Sequence, residues 1–446
     1  MKIVQITAGA GGRLCGSCLH DNALVRALRQ RNRDAILVPA YVPTTSDEEN
    51  VAEPIVVMGG VNVFLQQNSS FFRHTPRWID WFFDRPFLLQ ALSRWSGNAR
   101  PADLGPLTAS SLRGEEGCQR KEVSRLAAWL ARDIRPDVVH LSNVLLLGLA
   151  KPIQRATGAS IVVTLSGEDL FISQLPEPYQ REVRELLVER ACDVDQFIAL
   201  NTSYADRMQK ILCCGKDRIT VIPHGIDPDG FPKSPPDLMA RRALRGDRRV
   251  IGYLARACPE KGLDQVIQAT ARLVERGMDV ELVAAGATIP AEEDYLAECH
   301  RLAEELGISQ QFRWQGQVDR NSKMKLLNEI DVFVMPTPVP EAKGIPVIEA
   351  MASGVPVVAS ASGAFPELLG IHEPMPAGEV HTPGDVLDLA RCIEKVLRDG
   401  ALAAEYGLAG HTRVSQQYQS HHMAAAHESL YHESLYHESL YKDKQR

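Results

Sequence analysis

Short apolar runs rich in Val, Ile and Leu alternate with longer amphipathic stretches along nearly the whole chain, and this alternation restricts the fold more than any other feature. The first set of predicted strands is Lys2–Thr7, Ala35–Ala40, Pro54–Met58, Val61–Leu65, Asp137–Leu141, Ser160–Leu165, Gln196–Asn201 and Ile219–Pro223. The second set is Val250–Ala255, Val280–Ala285, Phe312–Gln315, Val332–Pro336 and Pro356–Ser360. Stretches such as Asn22–Arg31, Leu263–Arg276 and Glu292–Leu306 read as helices between them. Strands this apolar on both faces belong to parallel sheets covered by helices on each side, so the fold class is α/β.

The alternation breaks at Asp227–Arg248, where Pro228, Pro232, Pro235 and Pro236 precede a charged segment, as in a domain linker. A chain of 446 residues also exceeds one ordinary domain. The expectation is two doubly wound domains, residues 1–227 and 249–410, joined by a linker at 228–248 and facing a central cleft. Ligands of open α/β sheets bind beyond the carboxyl ends of the strands, so both domains would present sites to that cleft.

Composition narrows the partners. Apolar residues at 45% and charged residues at 24% allow a sizeable core. A net charge of −7 lacks the basic footprint of a general nucleic-acid binder. The start, MKIVQITAGAGG, reads as a strand entering a glycine loop rather than a signal peptide, and no apolar run reaches the length of a membrane helix. With those readings the nine scattered cysteines are expected to be reduced thiols of a cytoplasmic protein.

Two regions depart from the alternation. Phe71–Trp95 gathers Trp78, Trp81, Phe82, Phe83, Phe87 and Trp95, read either as core helices or as an apolar lip for a lipid-linked or aromatic acceptor. The lip reading carries peripheral membrane contact through 71–95 at the inner membrane face. The tail repeats HESLY at His427–Tyr431, His432–Tyr436 and His437–Tyr441. Five residues turn a helix through about 500°, so successive copies point about 140° apart and share no face. The extra copies therefore read as an expansion without a catalytic role, and their histidines as no metal site.

The most specific chemical motif is Glu341-Ala-Lys-Gly-Ile-Pro-Val-Ile-Glu349, between a strand and a helix. Gly344 lets a ligand approach the backbone, Pro346 is pre-shaped for a first helical turn, and free N–H groups there suit phosphate or sugar oxygens. Eight helical steps would span about 12 Å, more than a glycosidase carboxylate pair and suited to two ends of one elongated ligand. Arg256 and Lys261 follow the strand Val250–Ala255, where they could neutralise a diphosphate or could simply be solvated charges.

Gly9-Ala-Gly11-Gly12-Arg13 follows the first strand but fits neither a dinucleotide fingerprint, because Leu14 replaces the third glycine, nor a P-loop, because Ser17 replaces the lysine. Cys15-Gly-Ser-Cys18 has redox-pair spacing and no second pair for zinc.

Together these residues resemble the large retaining glycosyltransferase family 4, with the GT-B fold of two Rossmann-like domains. The resemblance rests on Gly11-Gly12, RPDVVHLSN at Arg135–Asn143, Pro223-His-Gly-Ile-Asp227, Arg256 with Lys261-Gly262, Glu341–Glu349 and Gly363-Ala-Phe-Pro-Glu367. It implies a metal-independent hexosyltransferase with no cofactor, whose co-substrate is a nucleotide-diphosphate sugar. Arg256 and Lys261 would hold the diphosphate, Glu341 with the amides near Gly344 and Ile345 the sugar, and Glu349 the ribose. Gly11 and Gly12 would close over donor phosphate and acceptor, and the tail 411–446 would pack back on the first domain. The acceptor stays open between saccharide and lipid-linked hydroxyls.

One departure matters. Where many relatives carry a histidine near the donor sugar, this chain has Ser166-Gly-Glu168-Asp169. Glu168 and Asp169 are read either as catalytic carboxylates or as the acidic start of a helix. The glycine that often follows Gly286 is replaced by Ala287. A GT-B epimerase, or a non-catalytic sensor or scaffold for nucleotide sugars, stands as the alternative reading.

Overall fold

The computed structural model describes residues 1–9, 15–69, 71–74 and 101–444. The chain divides into two compact units, Met1–Gly225 with Ser420–Arg446, and Ile226–Gln419. Each is built on a six-stranded parallel sheet.

In the first unit the strands are β1 (Lys2–Thr7), β2 (Asp34–Pro39), β3 (Val138–Leu141), β4 (Ser160–Leu165), β5 (Gln196–Ala199) and β6 (Ile219–Val221), in the order β2-β1-β3-β4-β5-β6. In the second they are β7 (Arg249–Leu254), β8 (Val280–Ala285), β9 (Phe312–Trp314), β10 (Val332–Met335), β11 (Val357–Ser360) and β12 (Gly378–His381), in the order β12-β11-β10-β7-β8-β9. The order reverses direction at β1/β3 and at β7/β10, the positions where such sheets open a crevice at their carboxyl edge.

Alternation explains the double covering. In β10, Val332 and Val334 enter one core with Tyr253, Leu263 and Ile393, whereas Phe333 and Met335 enter another with Ile348, Met351 and Phe365. Successive strand residues point to opposite faces, so an all-apolar strand needs helices on both sides.

Two strand readings are corrected, and one strand was not foreseen. Pro54–Met58 forms no strand: the amides of Val57 and Met58 donate to the carbonyls of Pro39 and Ala40 at 3.1 and 2.8 Å, and the isolated bridge Leu37–Ala52 precedes it. Val61–Leu65 lies within the helix Gly60–Asn68, where buried Asn62 and Gln66 stand one turn apart. A short apolar run cannot by itself distinguish a strand from a buried helix. The edge strand β12, with Val380 as its only large apolar residue, escaped prediction. Residues 75–100, which hold most of the aromatic region 71–95, lie outside the described residues.

Half of the stretch read as a linker is structured within the second unit. Asp237 caps the helix Leu238–Arg245 by accepting from the Ala240 amide at 2.9 Å, and Leu238 enters the core. Buried Arg242 lies 3.5 Å from Asp331 Oδ1, whose other oxygen accepts from the Val250 amide at 2.8 Å. Prolines and charges there encode a helix start and a buried ion pair rather than a free connector.

The tail forms a helix, Ser420–Lys444, whose Met423, Ala424, Leu430 and Tyr431 join Leu24, Leu28, Val138 and Val162 in one core of the first unit. The first HESLY copy is well buried: His427, Glu428, Leu430 and Tyr431 face inward, and Glu428 pairs with Arg31 at 2.9 Å and also with Arg33. Of the second copy, Leu435 packs partly on that core and Ser434 bonds Ser160, while Tyr436 is exposed. A chain ending at Tyr431 should keep its fold, losing no more than about 1–2 kcal/mol. A chain ending at Ala426 should fail to give a folded first unit. Thermal denaturation and soluble yield of the two truncations check this.

Candidate active site

Lys261 and Glu341 arrive from the two strands that flank the reversal in the second sheet. β7 ends at Leu254, and the connection continues through Arg256 into the tight turn Pro259–Lys261 and the helix Leu263–Glu275. β10 ends at Met335, and the loop beyond it carries Glu341. The Lys261 ammonium donates to Glu341 Oε2, while Glu341 Oε1 accepts from the amides of Ala342 at 3.2 Å and Lys343 at 3.1 Å.

Burial alone would raise the Glu341 carboxyl, but the Lys261 ammonium and the Lys343 amide outweigh it and hold it down at about 2. Glu341 is therefore an anion at neutral pH, able to accept hydrogen bonds from a sugar and unable to deliver a proton.

Glycines set this loop. Gly363 has φ +62°, and a Cβ there would lie 2.3 Å from both the nitrogen and the oxygen of Glu341. The Ala364 amide then donates to the Glu341 carbonyl at 2.8 Å. The Gly363–Glu367 motif thus acts by seating Glu341. Gly344, with φ +70°, caps the helix Ile345–Ala352 without a side-chain bond, and Pro346 lies in its first turn. This leaves the opening of the helix to backbone groups, an arrangement suited to anionic or sugar oxygens.

Glu349 is the fifth residue of that helix and is 6% exposed. Its Oε1 accepts from Lys323 Nζ at 2.5 Å, and Lys323 is itself buried on the helix Arg320–Glu329. A buried carboxylate without such a cation would be costly. Sequence reasoning missed Lys323, since a lysine in RNSKMK reads as solvated until the fold buries it.

Arg256 is placed differently from Lys261. Half exposed, it pairs with Glu292 at 3.1 Å rather than with the Glu341 loop. Gly286 lets the chain after β8 approach this turn, because a Cβ there would lie 1.7 Å from the Ala255 oxygen.

In the first unit, Ser166 follows β4 and the helix Glu168–Ser173 begins with both acids in its first turn. Glu168 accepts from the Ser166 amide at 2.8 Å, the Ser166 hydroxyl at 2.9 Å and the Tyr204 hydroxyl at 3.1 Å. Asp169 pairs with Arg207 at 2.9 Å. Burial and the neighbouring acids Glu168 and Asp169 push the Tyr204 phenol well up, so it remains a neutral donor. Both carboxylates are thus bonded within the unit, and Glu168 fixes the Ser166 hydroxyl. Tyr204 and Arg207, one turn apart on the helix Thr202–Leu212, were not singled out by the sequence.

Gly11 and Gly12 lie outside the described residues. Gly9, just before them, has φ +85° and approaches Val42 so closely that a Cβ would sit 1.8 Å from its oxygen. Among the described residues no group of three or more His, Cys, Asp or Glu could hold a metal ion, and no helix is long and apolar enough to cross a membrane.

Comparison with known proteins identifies the family. Residues 236–413 match the model described as glycosyl transferases group 1, and residues 110–229 match glycosyltransferase family 4. A 2-deoxystreptamine glucosyltransferase of Streptomyces kanamyceticus is 26% identical over 302 residues, 64% of this chain and 74% of that protein. A GDP-mannose-dependent alpha-(1-6)-phosphatidylinositol monomannoside mannosyltransferase of Mycolicibacterium smegmatis is 30% identical over 275 residues, 59% of this chain and 68% of that protein. The crystal structure of Anabaena Alr3699/HepE in complex with UDP matches the fold with a TM-score of 0.66 at 19% identity, covering 96% of this chain and 99% of that one.

The chain belongs to the family 4 type of glycosyltransferases, on the GT-B fold of two Rossmann-like domains. It is a hexosyltransferase that uses nucleotide-sugar donors.

Proposed function

We propose that this chain transfers a hexose from a nucleoside diphosphate sugar to a hydroxyl of a cyclitol-containing acceptor, with retention of anomeric configuration and without a metal ion. The observation that carries the reading is the Lys261–Glu341 pair at the carboxyl edge of the second sheet. An incoming diphosphate competes with Glu341 for the Lys261 ammonium, and Arg256 adds a second cation on the same connection. Their positive charge meets the charge that develops on the leaving diphosphate. Glu341, anionic throughout, accepts hydrogen bonds from the sugar as it becomes oxocarbenium-like. The acceptor hydroxyl then attacks on the face that the diphosphate leaves.

Glu349, held by Lys323, is the partner for the ribose. The acceptor class is supported by the two relatives above, whose names give an aminocyclitol and an inositol lipid. The chain is proposed to act in the cytoplasm, with a lipid-linked acceptor met at the membrane surface through 71–95.

The two carboxylates should fail differently. Glu349→Gln removes an interaction with a group unchanged during reaction, so it should raise the donor KM with little change in kcat. Glu341→Gln removes one that strengthens as charge develops, so it should lower kcat. Steady-state kinetics with varied donor decide, and identical or reversed defects would refute this division of roles. Thermal shift with UDP- and GDP-hexoses identifies the donor base, since a bound ligand raises stability by mass action.

A further inference from the structure

Two thiols stand together at a point that the transferase chemistry leaves unused. Cys15 is the N-cap of the helix Gly16–Gln30, with extended backbone at φ −128° and ψ 130°, and Cys18 is the third residue of that helix. Side chains at these two positions converge, which is how a capping box closes. Here both positions carry sulfur, and Cys15 first, then burial, pushes the Cys18 thiol well up. Neither is in a disulfide, and Cys15 is partly exposed whereas Cys18 is buried. The positive end of the helix dipole faces the exposed sulfur.

The residue between the two thiols reaches the Ser166 segment. Ser17, between the two cysteines, has its Oγ 3.3 Å from Ser166 Oγ, and Ser166 is the hydroxyl that Glu168 holds. In sequence, Cys15 stands three residues after Gly12, and the resemblance gives Gly11 and Gly12 to donor phosphate and acceptor.

We propose that Cys15 and Cys18 form a reversible disulfide that acts as a redox brake on glycosyl transfer. The oxidant is a low-molecular-weight disulfide. The Cys15 sulfur, losing its proton, attacks one sulfur of that disulfide and expels the other as a thiolate. Cys18 then loses its proton and attacks Cys15 Sγ, expelling the second small thiolate. One protein S–S bond forms and one small-molecule S–S bond breaks. The two electrons come from the protein sulfurs, and the two protons go to the released thiols. The new bond replaces a thiol contact at the first turn and displaces Ser17 from Ser166. The braking effect rests on the proposed transferase reading, whereas formation of the disulfide does not.

The experiment equilibrates the full chain with mixtures of reduced and oxidised glutathione and reads two quantities. Trypsin releases Leu14–Arg26, which contains both cysteines. Oxidised, that peptide should be about 2 Da lighter, the two hydrogens lost in forming one S–S bond. Turnover of the oxidised protein should fall by the order of tenfold or more, as expected when a preorganised site is misplaced by about 1 Å, and dithiothreitol should restore it.

Cys15→Ser places a favoured N-cap residue at the helix start, so it should keep reduced-state turnover and lose the sensitivity to oxidant. Absence of the lighter peptide at every glutathione ratio would overturn the disulfide. Its presence with unchanged turnover, or equal sensitivity in Cys15→Ser, would overturn the brake. Failure of the transferase reading shows separately, as no turnover in the reduced protein, and the peptide mass still decides the disulfide.

Discussion

Lys261→Ala should lower kcat by about 100–1,000-fold, the usual effect of removing one preorganised donor to developing charge. The fall has two sources. The leaving diphosphate loses an ammonium, and Glu341 loses the cation that keeps its buried carboxyl down at about 2. Without Lys261, burial raises the Glu341 carboxyl, and the loop that presents it is destabilised because a buried charge has lost its partner. The double variant Lys261→Ala with Glu341→Gln separates the two sources. Removing both charges should recover part of the thermal stability lost in Lys261→Ala and none of its turnover. Arg256→Ala should lower kcat in the same direction while costing little stability, because Arg256 is half exposed and its partner Glu292 is not on the Glu341 loop. Turnover at the wild-type rate in Lys261→Ala would remove the phosphate role.

Acid should destabilise the first unit well before its carboxylates are titrated. His20, His140 and His427 are buried together with Tyr431, with ring centroids of His20–His427 and His140–His427 6.0 and 5.6 Å apart. Burial first, then the neighbouring His20, presses His427 from 6.5 down to about 3, against the small opposing effect of the Met423 carbonyl. Burial and the other two histidines also hold His140 well below its ordinary range, while Tyr431 and Thr164 each lie 2.7 Å from one of its nitrogens. The remaining groups packed nearby are Asp21, 3.2 Å from His20, and His224, with its ring 5.2 Å from that of His20.

A base whose pKa is depressed on folding is neutral in the native state and takes a proton more readily when unfolded. Its contribution to stability is complete above about 6.5 and is lost as pH falls through the window toward 3. One such histidine costs about 2 kcal/mol between pH 6.5 and 5. His427→Gln removes that titration, so its melting temperature should fall less than the wild type's over the same interval. Equal slopes for the two proteins would show that His427 does not titrate on unfolding.

The fold was legible because parallel strands buried on both faces leave an unbroken apolar signature. Of the twelve strands among the described residues only β12 was missed, and Pro54–Met58 and Val61–Leu65 were the runs read wrongly as strands. Short runs such as VNVFL have no periodicity long enough to separate strand from helix. The prolines before Leu238 were read as a connector because an N-cap aspartate and a buried arginine are invisible until Asp331 is placed opposite them.

At the site, the strand pattern placed Lys261 after Val250–Ala255 and Glu341 after Val332–Pro336, but did not show that these two strands are neighbours in the sheet. Nor did it show their ion pair, the Lys323 partner of Glu349 or the Tyr204 hydroxyl that supports Glu168. Each of these is a long-range contact between side chains, 80, 26 and 36 residues apart, and local spacing carries no record of it.

The most direct test of the account is the stereochemistry of the product formed in the presence of EDTA. The donor identified by thermal shift is incubated with inositol-type acceptors, and the anomeric proton of the new glycoside is followed by NMR while free nucleoside diphosphate is measured. The account predicts one nucleoside diphosphate released per glycoside formed, the donor's anomeric configuration kept in the first product, and turnover unaffected by the chelator. A product of inverted configuration, or turnover abolished by EDTA and restored by magnesium or manganese, would contradict it.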